Sequence, residues 1–310
     1  MNLVLVVNSM ASAVTPRNRQ LVEEVLRARH DVTVVVTTAR EHASVLAGEA
    51  AADGLGAVVV LGGDGTVNEA ANGLVGSSTA LAVLPGGSTN VFARTIGLPN
   101  RVVPAVHRLV AALDSGSIRR IGVGQAGDRF FLFHLGIGFD AEVVHQVELR
   151  GQLKRWLGHG LFAYGAITTW LSHYDRSRPR FNVRLADGEV IPDGYFAIFE
   201  ASDPYTFFGP RAFRLAPGTG FDTGLSLVVL QDLSAVTLVG AAVAALAGGR
   251  RLPGMGFVTM RRGIDVVHLE GFGPFPYQVD GDYLGQVESL EVRHRPDCLD
   301  LVVPLAAADG

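Results

Sequence analysis

The 310-residue sequence contains one cysteine and one lysine. Without a second cysteine there is no internal disulfide and no cysteine-based metal cluster, so we expect Cys298 to serve packing. Lys154 does not belong to a Gly-Lys-Ser/Thr segment, which excludes a Walker P-loop. No apolar run reaches the roughly 20 residues of a membrane-spanning helix, so we expect a soluble protein. The net charge of −4 gives no general attraction to nucleic acid.

The order of apolar patterns predicts two domains. Up to about residue 115, short apolar runs alternate with helical patterns, which is typical of a parallel sheet covered by helices on both faces. Beyond residue 117, closely spaced strand candidates separated by turns such as Asp187-Gly188 predict a mainly antiparallel domain. We therefore predict an α/β domain at 1–116, to which residues from about 300 to 310 return, and a β-rich domain at 117–299.

Individual elements follow from the same patterns. In the first domain we predict strands at 3–7, 32–37, 57–61 and 80–84 and helices at 17–29, 41–52 and 67–76. In the second domain we predict strands at 130–135, 181–185, 195–201, 225–230, 264–269 and 289–293, and helices at 153–171 and 236–246.

Two glycine-rich segments follow neighbouring predicted strands, at 62–66 and 85–90. Glycines let the backbone approach an anion without a Cβ clash, and the helix that follows supplies free amides and the positive end of its dipole. Ligands bind parallel sheets at the carboxyl ends of the strands, where both segments lie. We interpret them as one site that holds phosphate, in which Asp64 orients water on Mg²⁺.

The motifs resemble those of the diacylglycerol kinase catalytic-domain family, in particular its soluble bacterial lipid kinases, which are related to sphingosine kinases. The Gly-Gly-Asp-Gly-Thr turn at 62–66 also occurs in NAD kinases, whereas Gly-Ser-Thr-Asn at 87–90 followed by Phe-Ala-Arg is similar to the lipid-kinase loop. The further matching segments are 136–140 and 279–282. The resemblance implies ATP, Mg²⁺, a lipid alcohol, and an active site in the cleft between the two domains.

Individual roles are implied by the same resemblance. Asp280 corresponds to the general base that accepts the proton of the lipid hydroxyl, and Asp64 is the alternative base. An Asp-Gly pair alone, such as Asp280-Gly281, is more often only a turn. The positions implied for the nucleotide are Asn8, Thr38, Gly62, Gly63, Asp64, Gly65, Thr66, Asn68, Glu69, Gly87, Ser88, Thr89, Asn90 and Asp282.

Other positions are candidates for substrate or metal. Arg17, Arg94 and Asp140 are candidates for the phosphate or lipid headgroup, although solvated arginines and a helix-capping aspartate are the ordinary interpretation. Asp222 corresponds to a structural Mg²⁺ site of bacterial relatives, which Thr223 weakens because an aspartate is expected there. The first turn, residues 8–12, also lacks the family's proline and glycine.

We predict a transferase of phospholipid biosynthesis that phosphorylates diacylglycerol to phosphatidate. The alternatives are a kinase of a sphingoid base or monoacylglycerol, and a pseudokinase that binds nucleotide or lipid without turnover. We expect a cytoplasmic protein in peripheral contact with the inner membrane face, and a homodimer remains open. The basic patches predicted for this contact are Arg150, Lys154 and Arg155, and Arg176, Arg178 and Arg180.

Overall fold

The structure is a computed structural model that describes residues 1–149, 166 and 168–305. These residues form two compact units, one of Met1–Gly122 with the described residues from Pro296 onward, and one of Val123–Arg295. The basic patch predicted at Arg150, Lys154 and Arg155 and most of the helix predicted at 153–171 lie outside the described residues.

The first unit is built on a parallel sheet, as predicted. Its strands lie in the order β2-β1-β3-β4, and the segment after residue 296 adds a parallel pairing in which Leu301 is opposite Leu81. Every residue of β3 and β4 is buried, which explains their unbroken apolar sequence. The strands are β1 (Asn2–Val7), β2 (Asp31–Val36), β3 (Ala57–Gly62) and β4 (Ala80–Pro85).

Five helices lie in the described residues of this unit. The first has a capped start, because Pro16 is its first residue and the Thr15 side chain accepts a hydrogen bond from the Asn18 amide. The third begins at Asp64, three residues before the predicted start, since an acidic side chain in the first turn is favoured by the helix dipole. The helices are α1 (Pro16–Arg27), α2 (His42–Ala52), α3 (Asp64–Leu74), α4 (Val91–Thr95) and α5 (Val102–Asp114).

The second unit contains the predicted antiparallel sheet, with strands in the order β14-β13-β10-β7-β15-β16. Its interior is aromatic and aliphatic, with Phe131, Phe181, Phe199 and Phe275 fully buried. The strands that lie wholly or partly in this unit are β5 (Ile118–Ala126), β6 (Arg129–Phe131), β7 (His134–Gly138), β8 (Phe181–Leu185), β9 (Val190–Gly194), β10 (Phe196–Glu200), β11 (Thr206–Phe208), β12 (Arg211–Phe213), β13 (Leu225–Leu230), β14 (Val258–Ile264), β15 (Val266–Val279) and β16 (Asp282–Val302).

Two strand predictions in this unit were wrong, and a third, at 289–293, covers only part of the longer strand β16. The strand expected at 130–135 is divided into β6 and β7, because the amides of Leu132 and Phe133 bond to a carboxylate instead of a neighbouring strand. The strand expected at 264–269 extends as β15 to Val279, across a pairing shift between Glu270 and Phe275. Glycines and prolines at 271–276 hide this continuation in the sequence.

The helices of this unit are few among the described residues. They are α6 (Phe139–Leu149) and α7 (Ala235–Leu246), with a π-helical turn at Thr169–His173 and a 3₁₀ turn at Leu252–Gly254. Within the described part of the chain, no helix combines the length and the apolar character that crossing a bilayer requires.

Candidate active site

The first glycine loop joins a buried strand to an uncapped helix. Strand β3 ends at Gly62, and Gly63 is the residue immediately before helix α3. Because Gly63 has no side chain, no side-chain hydrogen bond caps this helix. The main-chain N–H groups of a first helical turn have no partner within the helix, and they carry the positive end of its dipole. This loop therefore has the composition and the local structure of an anion-binding helix terminus.

The second glycine loop packs against the first, backbone to backbone. The Gly86 amide donates a hydrogen bond to the Gly62 carbonyl over 2.8 Å. A Cβ on Gly86 would lie 2.7 Å from the Gly62 nitrogen, and a Cβ on Gly87 would lie 2.9 Å from the Gly63 Cα. Both contacts are closer than real Cβ atoms show. The two loops therefore form one cradle, and its second loop requires glycine because of contact with the first.

Asp64 connects the same two loops through its side chain. Its two carboxylate oxygens accept hydrogen bonds from the amides of Val91 and Phe92, over 2.9 and 3.0 Å. These amides open the short helix α4, so the carboxylate acts at the positive end of that helix. Burial lowers the pKa of Arg94, against the opposing effect of the Asp64 charge. Asp64 therefore holds the start of helix α4 against the first loop. This structural role is separate from the predicted contact with Mg²⁺-bound water.

Asn90 fixes the shape of the second loop. It occupies the left-handed region with φ 50°, where asparagine is tolerated better than most residues. Its Oδ1 accepts the Gly87 amide over 2.7 Å, and its Nδ2 donates to the Gly87 carbonyl over 2.9 Å. The same Nδ2 donates to Oδ1 of Asn100 over 2.6 Å. Sequence reasoning missed Asn100, which lies ten residues away and outside any recognisable motif.

The other residues predicted for the nucleotide fall into two groups. Asn8 follows β1 and donates from Nδ2 to Thr66 Oγ1 over 2.8 Å, so it lies against the first loop. Asn68 is 1% exposed within α3, and the carboxylate of Glu69 accepts the Ala43 amide over 3.3 Å at the start of α2. These two side chains contribute to helix packing.

The remaining predicted positions of this unit are more open. The Thr38 amide donates to Nδ1 of His42 over 3.0 Å, in the turn between β2 and α2. Ser88 is exposed at the tip of the second loop, and Gly65 and Thr89 are partly exposed. Arg17 is exposed on α1.

Asp280 lies in the second unit at the turn between β15 and β16. Asp280 and Gly281 have φ values of 48° and 87°, as expected of a two-residue hairpin turn that needs positive φ at both positions. Asp280 is buried, with 5% of the residue exposed. Its carboxylate accepts hydrogen bonds from three main-chain amides, those of Leu132 over 2.8 Å, Phe133 over 3.1 Å and His134 over 2.9 Å. The side chain therefore holds the segment between β6 and β7.

A second buried carboxylate, Asp140, lies close to this turn. Tyr205 donates to Asp140 Oδ1 over 2.6 Å, and Gln278 donates to Oδ2 over 2.7 Å. Burial raises the pKa of Asp140 to about 6, although both hydrogen bonds favour the ionised form. A Cβ on Gly136 would lie 1.7 Å from Oδ2, so the glycine in the motif makes room for this carboxylate.

Gln278 links the two acidic positions. Its Nε2 donates to Asp140, and its Oε1 accepts the amide of Gly281 over 2.8 Å. The ring of His134 is tilted by 39° against the ring of Tyr205 at 4.3 Å between centroids, and burial lowers the pKa of His134 to about 3. Sequence reasoning missed Gln278 and Tyr205. Gln278 lies two residues before Asp280, and this closeness in sequence is the one signal that could have indicated Gln278.

Further predicted acidic residues lie elsewhere in the second unit. Asp282 is 4.0 Å from Arg129, between carboxylate oxygen and guanidinium nitrogen. Thr223 replaces the expected aspartate and closes its own turn, since its Oγ1 accepts the Gly220 amide over 3.0 Å. Asp222 is exposed beside it. Among the residues that the structure describes, no cluster of three or more His, Cys, Asp or Glu side chains is arranged to hold a metal ion.

The basic patch predicted at 176–180 is largely engaged within the unit. Arg176 lies over the Trp170 ring, 3.9 Å from its centroid. Arg178 and Arg180 lie 3.4 and 3.8 Å from the Asp175 carboxylate.

Comparison with known proteins gives the family of the first unit. Residues 2–126 match the diacylglycerol kinase catalytic domain, a segment that contains both glycine loops. This segment is therefore similar to the diacylglycerol kinase catalytic-domain family. The chain is 37% identical over 183 residues to the "Probable lipid kinase YegS-like" protein of Chromohalobacter salexigens, covering 57% of this chain and 56% of that one.

Two further similarities extend this result. The chain is 32% identical over 142 residues to "Diacylglycerol kinase" of Bacillus subtilis, which covers 45% of each protein. The match therefore spans about half the length of these two relatives. A solved structure of a diacylglycerol kinase from Bacillus anthracis has a TM-score of 0.71, with 97% of this chain and 96% of that chain covered. At 18% identity, this likeness concerns the fold.

Proposed function

We propose that this chain is an ATP-dependent lipid kinase that transfers the γ-phosphate to a lipid hydroxyl, with diacylglycerol as substrate and phosphatidate as product. The observation that carries the proposal is the cradle formed by the two glycine loops, in which Gly86 and Gly87 leave no room for a side chain. The family match over residues 2–126 and the lipid-kinase names of the relatives support the same reaction class.

The donor half of the reaction needs phosphate charge to be neutralised without a P-loop lysine. The main-chain amides at the start of α3 and the hydroxyl of Thr66 fit the phosphates, and Arg94 supplies a cation beside Asp64. Phosphoryl transfer depends mostly on positioning and electrostatic stabilisation, with little covalent work by the protein. A cradle of rigid amides suits that requirement.

Mg²⁺ fits the oxygen chemistry of this cradle. Mg²⁺ keeps several waters and takes one or two carboxylates besides the substrate phosphates. Asp64 is the carboxylate of the loop, and we propose that it orients such waters. When bound with ATP, the ion would neutralise charge on the transferred phosphoryl group.

For the acceptor half, we propose Asp280 as the general base and Asp140 as a contact to the lipid hydroxyl, with Asp64 as the alternative base. The three amides that Asp280 accepts fix its carboxylate, and a base must be held within hydrogen-bond reach of the proton it takes. Asp140, with a pKa of about 6, changes charge within the physiological range.

The cradle can be tested with one added methyl group. A Cβ on Gly63 would lie 3.6 Å from the Gly87 Cα, an ordinary contact, so Gly63→Ala should fold normally while narrowing the space between the loops. We expect MgATP to bind this variant at least tenfold more weakly in calorimetry, and phosphate transfer to diacylglycerol in mixed micelles to fall in parallel.

A matched control keeps the test specific. Gly48 lies in α2, and a Cβ there would lie 3.9 Å from its nearest neighbour, the Gly73 carbonyl oxygen. Gly48→Ala should leave ATP affinity and turnover unchanged. Equal ATP affinity of Gly63→Ala and wild type would show that the cradle does not bind the nucleotide. Transfer to a sphingoid base or monoacylglycerol instead of diacylglycerol would keep the mechanism and change the substrate.

A second candidate function is binding of nucleotide or lipid without turnover. The observation in its favour is that both candidate bases serve main-chain amides: two for Asp64 and three for Asp280. Loss of transfer in folded Asp280→Asn or Asp64→Asn, with retained ATP binding, supports catalysis and identifies the base.

A further inference from the structure

Helix α7 has four of its five larger apolar side chains on the solvent side, and the fifth, Leu238, packs against the core. The residues it buries are Thr237, Ala241, Ala244 and Ala245. The residues it exposes are Val236 (83%), Val239 (63%), Val243 (61%) and Leu246 (46%). A surface helix of a globular protein normally buries its large apolar residues and exposes polar ones. In α7 this arrangement is reversed.

The exposed side chains form one continuous stripe. They occur at positions i, i+3, i+7 and i+10, so they follow each other along a single face of the helix. Residues 235–249 contain no charged side chain. Scattered exposed apolar residues are ordinary, whereas a contiguous apolar patch marks a surface that another apolar phase covers.

Positive charge follows this stripe directly. Arg250 and Arg251 are exposed four and five residues after the last position of the helix, and neither has an ion-pair partner among the described residues. At the other end, the Asp232 carboxylate accepts hydrogen bonds from Ser234 and Thr237, so it is engaged at the start of the helix. The stripe therefore combines apolar residues with accessible cations at one end.

This combination fits an anionic lipid surface better than a second copy of the chain. Arginine beside an apolar helix face is typical of helices that lie in the interface of a bilayer. A stable interface between two proteins takes roughly 20–30 residues on each side. The stripe supplies four, and two copies would bring Arg250 and Arg251 into the same small contact area.

We propose that α7 docks on the surface of an anionic phospholipid bilayer, with the stripe among the acyl chains and Arg250 and Arg251 at the phosphate groups. The purpose of this docking rests on the proposed function, since the substrate lipid would lie in that bilayer. The binding itself can be measured without turnover.

The test uses the full chain and unilamellar vesicles of phosphatidylcholine and phosphatidylglycerol in equal parts, with co-sedimentation as the readout. A double variant, Val239→Asp with Val243→Asp, should bind at least tenfold more weakly, because it places two carboxylates in the stripe. Each of Arg250→Ala and Arg251→Ala should weaken binding about fivefold, equivalent to about 1 kcal/mol near an anionic surface. Wild type should bind pure phosphatidylcholine vesicles more weakly than either single arginine variant binds the mixed vesicles, because both arginines then lack anionic lipid.

Two control variants match these substitutions elsewhere on the surface. Val103→Asp changes an exposed valine of α5, and Arg27→Ala changes an exposed arginine of α1. Both should bind vesicles as the wild type does. Unchanged binding by the Val239/Val243 double variant overturns the proposal, as does a wild-type dimer in sedimentation velocity that this variant dissociates.

Failure of docking and failure of the proposed function give different results. With docking and kinase activity both present, the double variant loses activity on vesicles but keeps it on a monomerically dispersed short-chain diacylglycerol. If wild type transfers no phosphate to any lipid while the double variant still loses vesicle binding, the docking proposal stands and the kinase proposal falls.

Discussion

Replacing Asp280 with asparagine should destabilise the second unit by about 4 kcal/mol. The carboxylate accepts three buried amides, and an asparagine can present only one carbonyl oxygen to them. Its NH₂ group would then face the Leu132 amide, a buried donor left unsatisfied at a cost of about 1–3 kcal/mol. The bonds to Phe133 and His134 would lose their charge assistance, at about 1 kcal/mol each. Asparagine tolerates the φ of 48°, so the backbone adds little.

Urea unfolding of wild type and variant measures this difference, and Asp193→Asn is its control. Asp193 also has a positive φ, of 58°, but is exposed and has no comparable set of amides. We expect the control to stay within about 0.5 kcal/mol of wild type, as surface substitutions do. A loss of about 4 kcal/mol would be easy to measure, because the total free energy of unfolding is typically only about 5–15 kcal/mol. A loss below about 1 kcal/mol for Asp280→Asn would refute the structural role.

Three further predictions concern pH, packing and the second loop. Burial and the charge of Asp203 raise the pKa of Glu200 to about 8, so the folded state retains a proton that the unfolded state releases. The free energy of unfolding should therefore fall as the pH rises from about 5 to 8, by at most about 1.4 kcal/mol per pH unit. Glu200→Gln should remove this dependence on pH when urea unfolding is measured across the same range. A Cβ on Gly73 would lie 2.2 Å from the Ser44 carbonyl oxygen, so Gly73→Ala should lower stability by about 2 kcal/mol in thermal unfolding, although alanine is the better helix former. Asn90→Gly keeps the positive φ but loses the bonds to Gly87 and Asn100, so ATP affinity measured by calorimetry should fall at least tenfold while the chain stays folded.

The fold class was predictable because apolar runs and glycine turns are local signals. The parallel sheet of the first unit follows from strands such as 57–62 whose residues are all buried. The closeness of the two glycine loops was predictable because parallel strands bring their carboxyl ends to the same edge. The sequence could not show why glycine is required there, because the reason is a contact between two loops, such as that of Gly86 with Gly62.

The parts that escaped prediction depend on partners distant in sequence. Asp280 bonds to amides almost 150 residues away, so the sequence indicated a turn and a candidate base but not the division of β6 from β7. Asn100 and Tyr205 act through single side-chain hydrogen bonds, which leave no periodic signal. The sequence of α7 predicts an apolar helix, and only the structure shows that its apolar stripe is exposed to solvent.

The most direct test of the central claim is transfer of labelled γ-phosphate from MgATP to diacylglycerol in mixed micelles, with Gly63→Ala and Gly48→Ala assayed in parallel. The account predicts labelled phosphatidate from wild type and Gly48→Ala, and at least tenfold less from Gly63→Ala at limiting ATP. A folded wild-type protein that binds ATP and transfers no phosphate to any lipid alcohol would contradict it.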